Sequence, residues 1–463
     1  MKIIVLNGSP KGDNSGTLQY VNYLAKLHPQ HQFEALHVAQ RIRRIEQDSA
    51  AFAETVEKIR QADAVIWSFP LYYMLVHGHY KRFIELIFER GAQDAFAGKY
   101  TAAISTSIHF FDNTAHNYIH AICDDLDMRF VESFSPDMSD LFNSEGRKQL
   151  EGFGRRFLAA LETGAPTQRK YAPVTWQPWA YQPGPASKPV DLGGKKAVIL
   201  YDGEPGQANV LSMAQRLRDS LKGEVRFVNL REVDIKAGCQ GCIHCGMDNE
   251  CVFEGKDGYI EFYRSMIMTS DVLIYLGAIH DRYLSARWKT FFDRSFFNTH
   301  TPVLRGKHMA FVLSGPLSRQ ENLHELLQGY AEVMDIQLVG VVSDEAGSPV
   351  DLDALLDQLA ADIVAAALEK STRPATFLGV GGMKVFRDDI WGRLRAVFQA
   401  DYRAYRRLGI FKTFPQRQFG VVMLNTFGAP LLRIPPVKRW FQKNMVKSMV
   451  IPAKQMVERA GAN

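Results

Sequence analysis

Residues 2–17 read KIIVLNGSPKGDNSGT, and this stretch decides the fold. KIIVLN is a short apolar run rich in β-branched residues, a strand. NGSPKGDNSGT follows it directly and opens a helix. Small residues let the backbone turn tightly there. Backbone N–H groups, Ser and Thr hydroxyls and a helix N-terminus then converge on one point, which suits an anion. Gly8, Ser9, Lys11, Asn14, Ser15 and Thr17 are the candidate contacts. A capped strand-to-helix turn without ligand is the alternative. No Gly-Lys-Ser/Thr closes the loop and no G-x-G-x-x-G runs through it, so neither nucleotide motif applies.

Outward from this start, apolar runs alternate with amphipathic stretches, the pattern of a parallel sheet with helices on both faces. Strands are expected at 2–7, 33–38, 64–69, 101–106 and 129–134, with a closing helix over 143–162. Residues 164–194 hold six prolines, which predicts a semi-rigid linker. The pattern then restarts, with strands expected at 196–201, 225–230, 271–277, 308–315 and 335–343. YKRFIELIFER (80–90) is echoed by WKTFFDRSFFN (288–298). The expectation is one α/β fold present twice, by internal duplication. Domain 1 spans 1–163, the linker 164–194 and domain 2 195–372, followed by a basic helical extension over 373–463.

The 463 residues are 46% hydrophobic and 23% charged, ordinary for a globular protein. No secretory signal and no apolar run of membrane-spanning length is read. Four of the five cysteines fall within thirteen positions, which argues for a reducing, cytoplasmic location. The net charge of +5 is uneven. From Arg373 onward seventeen Lys and Arg face four Asp and Glu, leaving the preceding residues at −8.

The first loop resembles the phosphate loop of the NADPH-dependent FMN reductase and quinone reductase family, which is flavodoxin-like. A second family element is a Pro-Leu-Tyr loop after the third strand, here PLYYMLVHGHYKRFIEL (70–86). The resemblance implies that Pro70, Leu71, Tyr72 and Tyr73 lie against the isoalloxazine ring of FMN. It also implies that Thr106, Ser107 and His109, after the fourth strand, reach the ring's pyrimidine edge. No general acid or base is named, because the flavin itself carries the chemistry.

Domain 2 departs from this pattern. Its first loop, YDGEPGQANV (201–210), has no Ser or Thr and carries Asp202 and Glu204, which would repel a phosphate. One FMN per chain is therefore expected, in domain 1, with domain 2 as its partner in an internal pseudo-dimer. Domain 2 instead carries Cys239, Cys242, Cys245 and Cys251 in GCQGCIHCGMDNEC. Three thiols three apart plus a fourth nearby suit a [4Fe–4S] cluster, and the run resembles the cysteine motif of iron–sulfur flavoproteins. Zinc and free redox-active thiols stay open. The expected place of this loop is facing the flavin of domain 1. Cys123 reads as a core thiol.

Together these readings predict an NAD(P)H-dependent flavin oxidoreductase that passes electrons to a quinone, flavin or iron–sulfur acceptor. The alternative is an electron carrier between protein partners without a small-molecule substrate. Nucleic acid is not an expected partner. The basic extension reads as a helical cap on the acidic body or, alternatively, as a membrane-surface contact that makes the protein peripheral.

Overall fold

The computed structural model describes residues 1–186, 188–413 and 419–460. Ser187 of the expected linker, and residues 414–418 and 461–463 of the expected extension, lie outside the described residues.

The first sheet contains β1 (Lys2–Asn7), β2 (Gln32–Leu36), β3 (Ala64–Pro70), β4 (Tyr100–Thr106) and β5 (Arg129–Phe134). All its pairings are parallel, in the order β2-β1-β3-β4-β5. This is the flavodoxin-like order, whose switch point lies between β1 and β3. Ile3, Val5, Ile66 and Ile104 bury one face against Leu18, Val21, Phe153 and Phe157 of the covering helices.

The second sheet contains β6 (Val190–Tyr201), β7 (Leu221–Asn229), β8 (Val272–His280), β9 (Tyr283–Leu284), β10 (His308–Ser314) and β11 (Gln337–Ser343). Its order is β11-β10-β8-β6-β7, the same topology, with β9 folded back antiparallel on β8. Both sheets therefore have the flavodoxin-like fold expected from the alternation. β6 starts at Val190 rather than Lys196. Its first residues pair with Leu221 and Lys222, and the register then shifts across Gly193 and Gly194, both at positive φ.

The proline-rich connection is pinned to both domains. The Lys170 and Tyr171 N–H groups donate to Asp124 of domain 1, and the Trp179 indole donates to the Asp344 carbonyl of domain 2.

The domains meet through the helices Gly78–Glu89 and Ala286–Arg294. The Gly78 N–H donates to Asp293 at 2.7 Å, and the Ala286 N–H donates to Glu85 at 2.6 Å. Each helix thus offers its N-terminal N–H to a carboxylate of the other, a favourable arrangement for the helix dipole. Each carboxylate is also paired within its own helix, Glu85 with Lys81 and Asp293 with Lys289.

The basic extension divides. The helix Phe377–Trp391 and residues up to Ala404 belong to the same compact unit as the two sheets, and Tyr405–Asn463 form a second. The Phe386 ring packs tilted against Phe110 of domain 1, with centroids 4.1 Å apart, and Asp401 accepts from the Thr299, His300 and Thr301 segment of domain 2. In the second unit the helices are Phe419–Leu431 and Pro435–Ala460.

Candidate active site

The loop after β1 is built around Asn7. Its carboxamide accepts from the Ser9 N–H at 3.1 Å, donates to the Gly12 carbonyl at 2.9 Å and contacts His37 at 3.0 Å. Gly8 passes so close to Tyr80 that a Cβ there would lie 2.7 Å from its ring, and Gly12 sits at φ +57°. Ser15 caps the helix Gly16–Leu27 through Leu18 N–H. Gly16, in the helix's first turn, is exposed to solvent, and the first N–H groups of a helix have no intrahelical acceptor. Ser9, Ser15 and Thr17 are buried at this point, while Lys11 and Asn14 are exposed at its rim. Hydroxyls and a helix N-terminus meet here, the kind of donors a phosphate is held by.

Thr17 and Thr106 share a hydrogen bond of 2.6 Å, which ties this loop to the end of β4. Ser107 accepts from the His109 N–H at 2.9 Å, and His109 lies at the surface beside Asp112. After β3, Tyr72 and Leu75 bridge a tight turn in which Tyr73 and Met74 take φ of 38° and 63°. His109 and Phe111 also have positive φ, at 60° and 55°. Left-handed backbone costs a side-chain-bearing residue roughly 1–2 kcal/mol. Its concentration at the ends of β3 and β4 marks a site held in shape by its surroundings. The turn recurs in domain 2, where Asp281 and Arg282 take φ of 44° and 68° and His280 pairs with Tyr283.

The expected residues therefore gather at the carboxyl ends of β1, β3 and β4. Domain 2 brings its cysteine loop to the same place. Gly241 lies so near the Tyr72 hydroxyl that a Cβ would come within 2.1 Å of it, with the Lys11 stem 3.0 Å away. His77 Nε2–H donates to the Cys239 carbonyl at 2.7 Å, and His79 Nε2 accepts from the Gly238 N–H at 3.1 Å. Nδ1 of His77 accepts from the His79 N–H, and Nδ1–H of His79 donates to the Ala39 carbonyl. Both rings are neutral with fixed tautomers, and burial holds both well below the usual imidazole range, at about 3.

Cys239, Cys242, Cys245 and Cys251 line one pocket with Arg294 and Phe296. Its volume is about 20 Å³, room for about one water. Among the described residues no group of three or more His, Cys, Asp or Glu could hold a metal ion, so the structure does not assemble the expected ligand set. Burial pushes the Cys239 and Cys245 thiols up to about 12. All five cysteines are free, and Cys123 is a core thiol.

At the matching place in domain 2 the charges are already paired. Arg231 binds Asp202 at 2.6 Å and Glu204 at 3.2 Å, and His280 binds Glu204 at 2.7 Å. The cations that could hold an anion are neutralised by the protein's own carboxylates.

Asn7, His77, His79 and His116 were not among the expected site residues. His116 lies 2.8 Å from the Ser105 hydroxyl, and burial lowers its pKa to about 4. A histidine in a helical run has no sequence mark of this role. Asn7, placed at the strand end before a Gly-Ser turn, does carry one.

Residues 1–135 match the model of the NADPH-dependent FMN reductase family. No curated protein matches the chain. Among solved structures, the chain is similar to a flavoenzyme NAD(P)H:(acceptor) oxidoreductase from Paracoccus denitrificans, at 20% identity and a TM-score of 0.30, over 35% of this chain and 97% of that one. It is also similar to an NADH:FMN oxidoreductase in its apo form, at 22% identity and a TM-score of 0.30, over 34% and 89%. A third is general stress protein 14 from Treponema denticola in complex with FMN, at 16% identity and a TM-score of 0.26, over 35% and 98%.

Proposed function

We propose that this chain, whose first 135 residues match the NADPH-dependent FMN reductase family, is an FMN-dependent NAD(P)H oxidoreductase. It passes electrons from a reduced nicotinamide through one flavin to a quinone, flavin or iron–sulfur acceptor. The observation that carries this reading is the meeting of the Ser9–Thr17 loop and the N-terminus of the Gly16–Leu27 helix with the strained loops after β3 and β4, joined through the Thr17–Thr106 hydrogen bond. Bound FMN supplies hydride acceptance and onward electron transfer. The chain's own residues bind and exclude. Ser9, Lys11, Asn14, Ser15 and Thr17 would hold the phosphate. Pro70, Leu71, Tyr72 and Tyr73, with Thr106, Ser107 and His109, would hold the ring. Domain 2 closes the site as the second half of an internal pseudo-dimer arising by duplication, and its paired Asp202 and Glu204 leave it without a flavin. The clustered free cysteines suit a reducing compartment, so the reading includes a cytoplasmic location. It also includes contact with a membrane surface through the basic C-terminal residues.

One observation favours a second reading, an electron carrier between protein partners. The loop that carries the four cysteines lies against Tyr72 at Gly241, where a redox centre would serve the flavin. Four thiols are a suitable donor set for a [4Fe–4S] cluster, but a pocket of about 20 Å³ does not fit one as arranged.

Steady-state oxidation of NADH and NADPH with quinone and flavin acceptors separates the readings, alongside flavin, iron and sulfide analysis. Turnover at about one FMN per chain supports the enzyme. Bound flavin and iron without nicotinamide turnover support the carrier. Protein that stays colourless after FMN is added rejects both.

A further inference from the structure

We propose that the C-terminal unit is a membrane-interface module for anionic lipid. The Phe419–Leu431 helix enters the headgroup layer, and basic residues of the Pro435–Ala460 helix bind lipid phosphates. This specifies the membrane contact included in the reading above and rests on that part of it alone.

The Phe419–Leu431 helix, FGVVMLNTFGAPL, contains no Asp, Glu, Lys or Arg. Phe419 is 79% exposed, Leu424 72%, Phe427 67%, Met423 54% and Val422 51%. Contiguous apolar surface of this kind marks an interaction site. At 1.5 Å per residue the helix is about 20 Å long, short of the roughly 30 Å hydrocarbon layer. It suits a position within the interface, and among the described residues no helix is long and apolar enough to cross a membrane.

The Pro435–Ala460 helix supplies the other half. Arg439 and Lys443 are spaced by four residues, close to one turn, so they share one side ahead of the interior Pro452. Val437, Trp440, Phe441, Met445 and Ile451 lie on a neighbouring side and are exposed. Basic stems can run along apolar surface while their charged ends reach phosphates.

Charge selects the occupant. Residues 405–463 hold eleven Lys and Arg and a single acid, Glu458, whereas residues 1–404 are net −5 by difference. A second copy would set +10 against +10, and an acidic protein would leave the uncharged helix without purpose. An anionic bilayer supplies both an apolar layer and negative charge.

Co-sedimentation of the full chain with vesicles of phosphatidylcholine, with and without phosphatidylglycerol, tests this. Binding should favour the anionic vesicles at least about tenfold and weaken with salt. Arg439→Glu with Lys443→Glu should lower it at least about twentyfold. Leu424→Asp with Phe427→Asp should lower it about tenfold or more. Flavin content and NAD(P)H oxidation with a soluble acceptor, read on the same samples, should be unchanged. Equal binding to both vesicle types, no binding to either, or binding unaffected by the substitutions overturns the module. So does self-association that replaces vesicle binding. Absence of NAD(P)H turnover in the unsubstituted chain, with vesicle binding intact, would count against the oxidoreductase reading and leave the module standing.

Discussion

Ser9 and Thr17 are both buried beside the exposed Gly16 turn, where a new carboxylate would face any phosphate bound there. Ser9→Asp and Thr17→Glu should each cut FMN retention at least about tenfold, read as the flavin-to-protein absorbance ratio after purification. Gln207→Glu, at the start of the equivalent helix of domain 2, should leave that ratio unchanged. His116 makes a pH prediction. Its pKa is about 4 in the fold, lowered by burial, against about 6.5 for a free imidazole. Between those values the unfolded chain binds more protons, so stability is complete above about pH 6.5 and falls as pH drops towards 4. The loss reaches about 3 kcal/mol at most. Urea midpoints at pH 7 and pH 4.5 measure it, and His116→Asn should narrow the difference without removing it, because His77 and His79, held at about 3, lose stability over the same range.

The paired helices Gly78–Glu89 and Ala286–Arg294 carry the energetics at the level of elements. Asp293 and Lys289 are fully buried. Burial pushes both towards neutrality, Lys289 down and Asp293 up, and their mutual attraction opposes this. Removing one partner strands the other. Asp293→Asn should cost about 3 kcal/mol or more in urea unfolding and loosen the seam between the domains. Asp94→Asn breaks the exposed pair with Arg60 and should leave the urea midpoint essentially unchanged. The left-handed pair Tyr73–Met74 and its counterpart Asp281–Arg282 show the same turn kept with unrelated side chains. Alternation of apolar runs finds the strands on either side but carries little signal for such a turn, because Tyr73–Met74 contains none of the usual turn residues and Asp281 is the only one in its counterpart.

For the whole molecule, the extension behaves as two parts. The charge asymmetry suggests a tail from Arg373 that is dispensable for flavin binding but not for solubility or partner choice. However, Phe386 packs on Phe110 beside the β4 loop, and Asp401 anchors residues 299–301. A chain ending at Ala404 should keep its flavin and its cooperative unfolding. One ending at Lys370 should lose both in part, with a lower thermal midpoint and a lower flavin ratio. Retention of full flavin and stability by the shorter chain would show that these contacts are incidental.

The sequence by itself determined the strands, their parallel arrangement, the turn-and-cap chemistry of residues 7–17 and the contrast between that loop and the acidic one at 201–210. These depend on neighbours a few residues apart, where periodicity and side-chain type act directly. Tertiary structure alone decided what faces what: Gly241 against Tyr72, His77 on the Cys239 carbonyl, Gly78 on Asp293, and Arg231 and His280 on Glu204. Except for Arg231–Glu204, these contacts join positions more than about 70 residues apart. The size of the cysteine pocket and the neutrality of the buried histidines follow from packing. Four cysteines in a row specify a donor set, but the space between their sulfurs is set by Arg294 and Phe296, more than 40 residues further along the chain.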